Sequence, residues 1–264
     1  MKAPIMSKAS TNSAECIYPW EASGAPLAED ATLLGPLFTR PLRGAKAIRE
    51  FYETSGEVAG PLKVRWHMNK HVETLLIGSQ LVGEHNVHSA LWLKRDGAGR
   101  VREISHAMRP FPLLLPYHRA MKERLAELIP QKRWTIDQSD AFTVDADEDA
   151  SRTKLADDVR FFSPILAKPL QGAELVQFAL EGVSKVLGPR RLLSEFPGDG
   201  VAGTVWEVAF DGHRVRGLTV VVTDQVGLAI ELITCMLPFP VVERFYYKMK
   251  TINGERAGPE YFPI

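Results

Sequence analysis

The chain says nearly the same thing twice. GPLFTRPLRGA at 35–45 returns as SPILAKPLQGA at 163–173, and MRPFP at 108–112 returns as MLPFP at 236–240. Both pairs are displaced by 128 residues. A displacement held constant between distant landmarks means two copies of one folding unit, with no net insertion between the landmarks. Solenoid repeats recur every ~20–50 residues, so copies this long are domains. Each copy also serves as a control for the other. A residue the fold requires should recur, and a residue found in one copy only is a better functional candidate.

With 264 residues the chain is long enough for two ordinary cores. Its 32 basic and 32 acidic residues cancel, which argues against a nucleic-acid partner, since that would need a basic surface. The two cysteines, Cys16 and Cys235, lie far apart without ligand spacing, so free thiols in a reducing compartment are expected. No apolar run approaches the ~20 residues of a membrane span, and the first residues lack the apolar core of a signal peptide. These features predict a cytoplasmic protein without a membrane partner.

The chain divides into an arm at 1–27, a first unit at 28–130, a linker at 131–154 carrying acidic DADED at 145–149, and a second unit at 155–264. Each unit has the same order. A leading extended stretch reaches Pro36 or Pro164, and a helix starts after glycine at 45–54 or 173–187. Four strands follow, at 62–68, 72–82, 87–95 and 101–108, and at 191–196, 201–210, 215–223 and 228–236. A helix closes each unit at 114–129 or 241–250. This is an α+β pattern. The strands are apolar on both faces: Val87, Ser89, Leu91 and Leu93 alternate with His88, Ala90 and Trp92, and 215–223 reads similarly. An antiparallel sheet with one wet face would alternate apolar with polar. Both faces are therefore expected to be covered, one by the unit's own helices and the other by the sibling unit, giving an intrachain pseudo-dimer.

An acidic-led segment, SP or GP, a KPLxGxxx or RPLxGxxx helix start, long strands with a D-x-x-G turn, and a last strand ending in MRPFP or MLPFP together resemble the nuclear-transport-factor-2-like superfamily, nearest its SnoaL-like polyketide cyclase branch. The resemblance spans about 28–122 and 156–250. It implies two tandem cone-shaped α+β barrels, each a curved antiparallel sheet wrapped on helices around an apolar pocket. The family's long N-terminal helix is short or missing here. Two positions where enzymes of the family carry pocket carboxylates are empty in both copies: Gly35 and Ser163 before the early proline, and Leu91 and Thr219 on the third strand.

Placing the third-strand position in the pocket fixes the inward faces. Ser89, Leu91, Ile104, His106 and Met108 then line pocket one, and Thr219 and Thr234 line pocket two, as substrate contacts. His106 is the strong titratable group so placed, and its counterpart is Thr234. It reads either as a general acid/base or as a buried histidine satisfied by a neighbour. Arg65, His67 and Glu73 complete the candidate catalytic set, with His67 or Glu73 orienting His106 and Arg65 binding an anionic oxygen. Activity through Glu207 in unit two is the opposite assignment.

Other signals fail on context. His67 and His71 sit ~13 Å apart along a strand, too far to share a metal. The GDGVAG at 198–203 leads into a strand rather than a helix, so it is no dinucleotide loop. The DADED run lacks the glycine and glutamate of a calcium loop. The expectation is an enzyme of cyclase, isomerase or lyase type. It needs no cofactor or metal and acts on a small hydrophobic molecule. It is a monomeric pseudo-dimer or a higher homo-oligomer. The alternatives are a non-catalytic binding or accessory protein using the same pocket, and a structural partner in a complex.

Overall fold

The computed structural model of the chain describes residues 15–130, 134–136, 142–143 and 154–264. The acidic run at 145–149 and most of the arm and linker lie outside these residues. The arm contributes β1 (Glu15–Cys16) and α1 (Pro19–Ala22). Unit one follows with β2 (Leu27–Leu34), β3 (Leu42–Arg43), α2 (Ala45–Ala59), β4 (Leu62–Lys70), β5 (Glu73–Val82), β6 (His85–Arg95), β7 (Val101–Arg109) and α3 (Leu115–Arg124). Unit two repeats this as β8 (Leu155–Phe162), β9 (Leu170–Gln171), α4 (Ala173–Leu187), β10 (Arg191–Phe196), β11 (Val201–Phe210), β12 (His213–Thr223), β13 (Ala229–Leu237) and α5 (Phe239–Ala257).

The repeated local sequence sets repeated local structure. Gly44 and Gly172 precede the two long helices with φ of 91° and 96°, a region that glycine occupies without steric cost. Helix α2 buries Ile48, Phe51, Tyr52, Ser55 and Ala59, one stripe at helical spacing. The strands β4–β7 and β10–β13 are two antiparallel meanders, and both first strands carry a register shift at matching places, Val64/Trp66 and Leu192/Ser194.

The expectation of two separate cone-shaped barrels is corrected by the strand pairing. All thirteen strands belong to one sheet, whose main path runs β1-β4-β5-β6-β7-β13-β12-β11-β10. The halves join at Met108↔Met236, where β7 meets β13 antiparallel. The contact is a single residue pair, and the rest of each edge is covered within its own half, β7 by β2 and β13 by β8. Strand β10 ends the path, so the sheet stays open rather than closing into a barrel. The leading segments, expected as extended stretches, are strands that add in parallel, β2 on β7 and β8 on β13.

Alternation along the strands separates two apolar clusters. The inner one holds Leu76, Leu91, Ile104 and Met108 with Leu232 and Met236, together with the helices of both halves. The outer one joins Trp66, Leu75, Ile77 and Trp92 of unit one to Val205, Leu218, Val220 and Ile233 of unit two. Gly203 permits this approach. A Cβ there would lie 2.3 Å from Leu75 Cδ2, so the missing side chain is what lets the faces meet. The halves also exchange equivalent bonds. Phe111 N donates to Pro164 O at 2.8 Å, Phe239 N donates to Pro36 O at 2.6 Å, and the Phe111 and Phe239 rings meet at 4.8 Å. Each pair is related by the 128-residue displacement, so the seam is isologous in the manner of a two-fold dimer.

Candidate functional site

Position 106 falls on the inner face of β7, in register with Leu91 of β6. His106 is 2% exposed. Its Nδ1 lies 3.4 Å from the Tyr52 hydroxyl and its Nε2 lies 3.3 Å from Ser89 Oγ. The Tyr52 ring stacks on the imidazole at 5.7 Å, the planes 12° apart. Ser89 in turn donates to Gln80 Oε1 at 2.8 Å, and Gln80 Nε2 donates to Gly60 O at 3.1 Å. One helix turn from Tyr52, Ser55 Oγ and Tyr117 Oη are 2.7 Å apart. A bonded polar chain with the Ser55–Tyr117 pair beside it thus sits inside an otherwise apolar half, its members held by α2, α3 and three adjacent strands.

Burial sets the electrostatics. With no charged partner to offset desolvation, His106 is pushed from 6.5 to about 3. The ring is neutral at neutral pH, and in this buried state it is a weak base. Burial also raises the Tyr52 phenol well above its ordinary value, so it stays a hydrogen-bond donor. The arm covers this centre, with Trp20 packed edge-on against Tyr52 at 5.6 Å and Cys16 buried nearby.

The remaining candidates are distributed rather than gathered. His67 shares a face with His106 in the row His67–Leu76–Leu91–His106, but three strand spacings separate them by ~14 Å. Its partner is Asn69 Oδ1 at 3.2 Å, and burial lowers its pKa. Arg65 and Glu73 turn to the outer face. Arg65 pairs with Glu231 of unit two at 2.8 Å, and Glu73 accepts a bond from Ser194. Tyr52 and Ser89, rather than His67 or Glu73, are the groups in position to orient His106. Ser89, Leu91, Ile104 and Met108 lie on its face and are buried.

In unit two, Thr219 and Thr234 sit 3.1 Å apart across β12 and β13, and Trp206 Nε1 donates to Thr219 Oγ1 at 3.0 Å. The Trp206 ring lies over Gly217, where a Cβ would come within 2.0 Å of it. A cavity of about 20 Å³ bounded by Phe161, Phe178 and Phe262 remains in that half, room for roughly one water. Glu207 is on the outer face, ringed by Arg191, Arg214 and Arg216.

Sequence reading missed Tyr52, as it missed Ser55, Gln80 and Tyr117, although a signal for Tyr52 existed. Its counterpart at the 128-residue displacement is Leu180, so comparing the copies along α2, and not only along the strands, would have singled it out. Among the described residues no group of three or more His, Cys, Asp or Glu is placed to hold a metal. No described helix is long and apolar enough to cross a membrane.

No family model matches the chain, and no curated protein matches it. Solved structures do. A steroid delta-isomerase from Pseudomonas aeruginosa is 23% identical over 38% of this chain and 75% of that one, with a TM-score of 0.36. A protein with a cystatin-like fold from Silicibacter pomeroyi DSS-3 is 21% identical over 38% of this chain and 70% of that one, with a TM-score of 0.36. A candidate SnoaL-like polyketide cyclase from Shewanella putrefaciens CN-32 is 16% identical over 41% of this chain and 76% of that one, with a TM-score of 0.27. Each of these likenesses spans less than half of this chain.

Proposed function

We propose that the chain is an enzyme of nuclear-transport-factor-2-like, SnoaL-like type, acting on a small hydrophobic molecule without a cofactor. In this reading unit one does the chemistry and unit two supports it. One observation carries the reading. Six polar residues inside unit one, Tyr52, Ser55, Gln80, Ser89, His106 and Tyr117, stand opposite Leu180, Val183, Val208, Gly217, Thr234 and Phe245 in unit two. Five of the six counterparts carry no polar side-chain group. Burying polar groups is unfavourable unless they are bonded, and unit two is built on the same plan without five of them. The fold does not require them, which favours a chemical role.

In this role neutral His106 takes a proton from a carbon or hydroxyl of the substrate, and the Tyr52 hydroxyl donates to the oxygen on which charge develops. Ser89, bonded to Gln80, holds the imidazole in its plane. Reaching the ring requires the covering arm or helices to move, because His106 is buried in the closed form. The same opening relieves the desolvation that holds it near 3 and restores its basicity. The reaction class is proton transfer leading to cyclisation, isomerisation or elimination. The test is mass-spectrometric detection of products from a panel of polyketide, terpenoid, steroid and aromatic substrates. His106→Ala should lose most turnover of any substrate found while keeping its fold and ligand binding, and unchanged turnover would sink the assignment. The second reading, a binding protein using the same interior, is favoured by the closure of the site. It predicts thermal stabilisation by a ligand recovered chemically unchanged.

A further inference from the structure

A second place in the molecule breaks the internal symmetry, this time between the halves. A cleft of about 550 Å³ lies where β2 and β7 of unit one face β12 and the start of α5. That volume suits a small organic ligand. The equivalent place across the pseudo-two-fold is filled. There Arg109, 3% exposed, reaches across to donate to Ser163 O at 2.7 Å and Leu166 O at 3.1 Å. Arg65 and Arg160 clamp Glu231 beside it, each at 2.8 Å. On the cleft side the counterparts of Arg109, Arg65 and Arg160 are Leu237, Leu193 and Thr32. None of these can span the gap or clamp Glu103, the counterpart of Glu231. Exchanging long arginines for short residues in one copy leaves the space open.

Charge accumulates at one wall of that space. Arg214 and Arg216 line it, and with Arg191 they surround the single buried carboxylate of Glu207. Three guanidinium groups face that one buried carboxylate. Glu103, which also lines the cleft, is held by Lys94 at 3.6 Å, and the Arg214 guanidinium lies 4.3 Å over the Phe142 ring. The cluster therefore keeps an excess of positive charge. Arg216 Nη1 donates to Ser105 Oγ at 2.7 Å and Nη2 to Glu207 at 3.2 Å, while its buried Nε has no hydrogen-bond partner among the described residues. An unpaired buried N–H of a charged group is unfavourable, and a guanidinium fork suits a carboxylate. Apolar lining comes from Leu237, Pro238 and Val241, with Leu237 the cross-strand neighbour of Arg216.

We propose that this cleft binds an amphipathic organic acid, with its carboxylate at Arg214 and Arg216 and its apolar body against Leu237, Pro238 and Val241. The site is separate from the His106 centre and does not depend on the activity assigned to it. Isothermal titration of the whole chain with decanoate, decanol and inorganic phosphate tests it. Decanoate should bind about tenfold or more tighter than either control, because a charge-assisted pair is lost with decanol and the apolar contacts are lost with phosphate. Arg214→Gln keeps Arg191 and Arg216 on Glu207 and should weaken decanoate about tenfold. Thr39→Trp, on the cleft rim and folded by circular dichroism, should block it. The proposal is overturned by an absence of decanoate binding at millimolar concentration, by equal binding of decanol or phosphate, or by unchanged affinity in both variants.

Discussion

The interiors of the two halves share a backbone plan and differ in what they hold. Both present the same row of β6–β7 or β12–β13 positions toward the equivalent long helix, α2 or α4. In unit one that row contains a bonded chain from Tyr52 through His106 and Ser89 to Gln80. In unit two the Trp206 ring covers Gly217, and two threonines bond each other. The outer faces reverse this. Unit two carries the Glu207 cluster, while the unit-one counterpart of Glu207 is Ser79. Duplication keeps the frame and frees each copy to bury its polar groups in a different place. Those departures locate the His106 centre and the cleft.

The largest expected effect tests the outer-face half of this contrast. Glu207→Ala leaves three arginines around an empty position and should cost about 4 kcal/mol in denaturant unfolding, whereas Ser79→Ala in unit one should stay within about 0.5 kcal/mol. Burial alone would raise the Glu207 carboxyl, but bonds from Arg191 and Arg216 hold it below its ordinary value. Its stabilisation is therefore present at neutral pH and is lost as pH falls through the lowered value.

Next comes the swap of inner residues. Thr234→His removes the bond to Thr219 and forces a larger ring into a packed interior where the counterparts of Tyr52 and Ser89 are Leu180 and Gly217, and should cost about 3 kcal/mol. A pH series then isolates the native histidine. The unfolded His106 ring protonates near 6.5 and the folded ring near 3, so between those values the unfolded state holds the extra proton. Stability is full above 6.5 and declines as pH falls, by about 2 kcal/mol from this group at pH 5. His88, also lowered to about 3, His118, lowered to about 4, and His67, lowered by burial, add to the slope. The His106→Thr variant should therefore lose roughly a third of the decline or less rather than all of it. The smallest effect is that of Tyr52→Phe, which removes one buried hydrogen bond and should cost about 1 kcal/mol, while Leu180, its counterpart, has no such bond to lose.

Much of the fold was legible because it is local. Alternation placed all eight meander strands within two residues of their observed ends, and the glycines before α2 and α4 marked the helix starts. The parity that puts His106 on the inner face is also local, since strand side chains alternate with period two. The single sheet was not legible. It depends on Met108 pairing with Met236, a tertiary contact between edges that carries no sequence signature of its own. Strand β2 reads LAEDATLL, with two acidic residues breaking the alternation, so its parallel pairing with β7 stayed hidden. Arg65 and Glu73 read as pocket groups because they are absent from unit two, but their absence there reflects partners across the seam, Glu231 and Ser194. The cleft arises from counterpart changes at Arg109/Leu237 and Arg160/Thr32, whose meaning appears only once the seam is known.

The division of labour is tested most directly by comparing His106→Thr with Thr234→Val on any substrate the panel returns. Each variant alters the same structural position in a different half. Turnover lost in His106→Thr and kept in Thr234→Val, with both proteins folded, is the predicted result. Turnover kept in His106→Thr, or lost only in Thr234→Val, would contradict the claim that unit one holds the working centre.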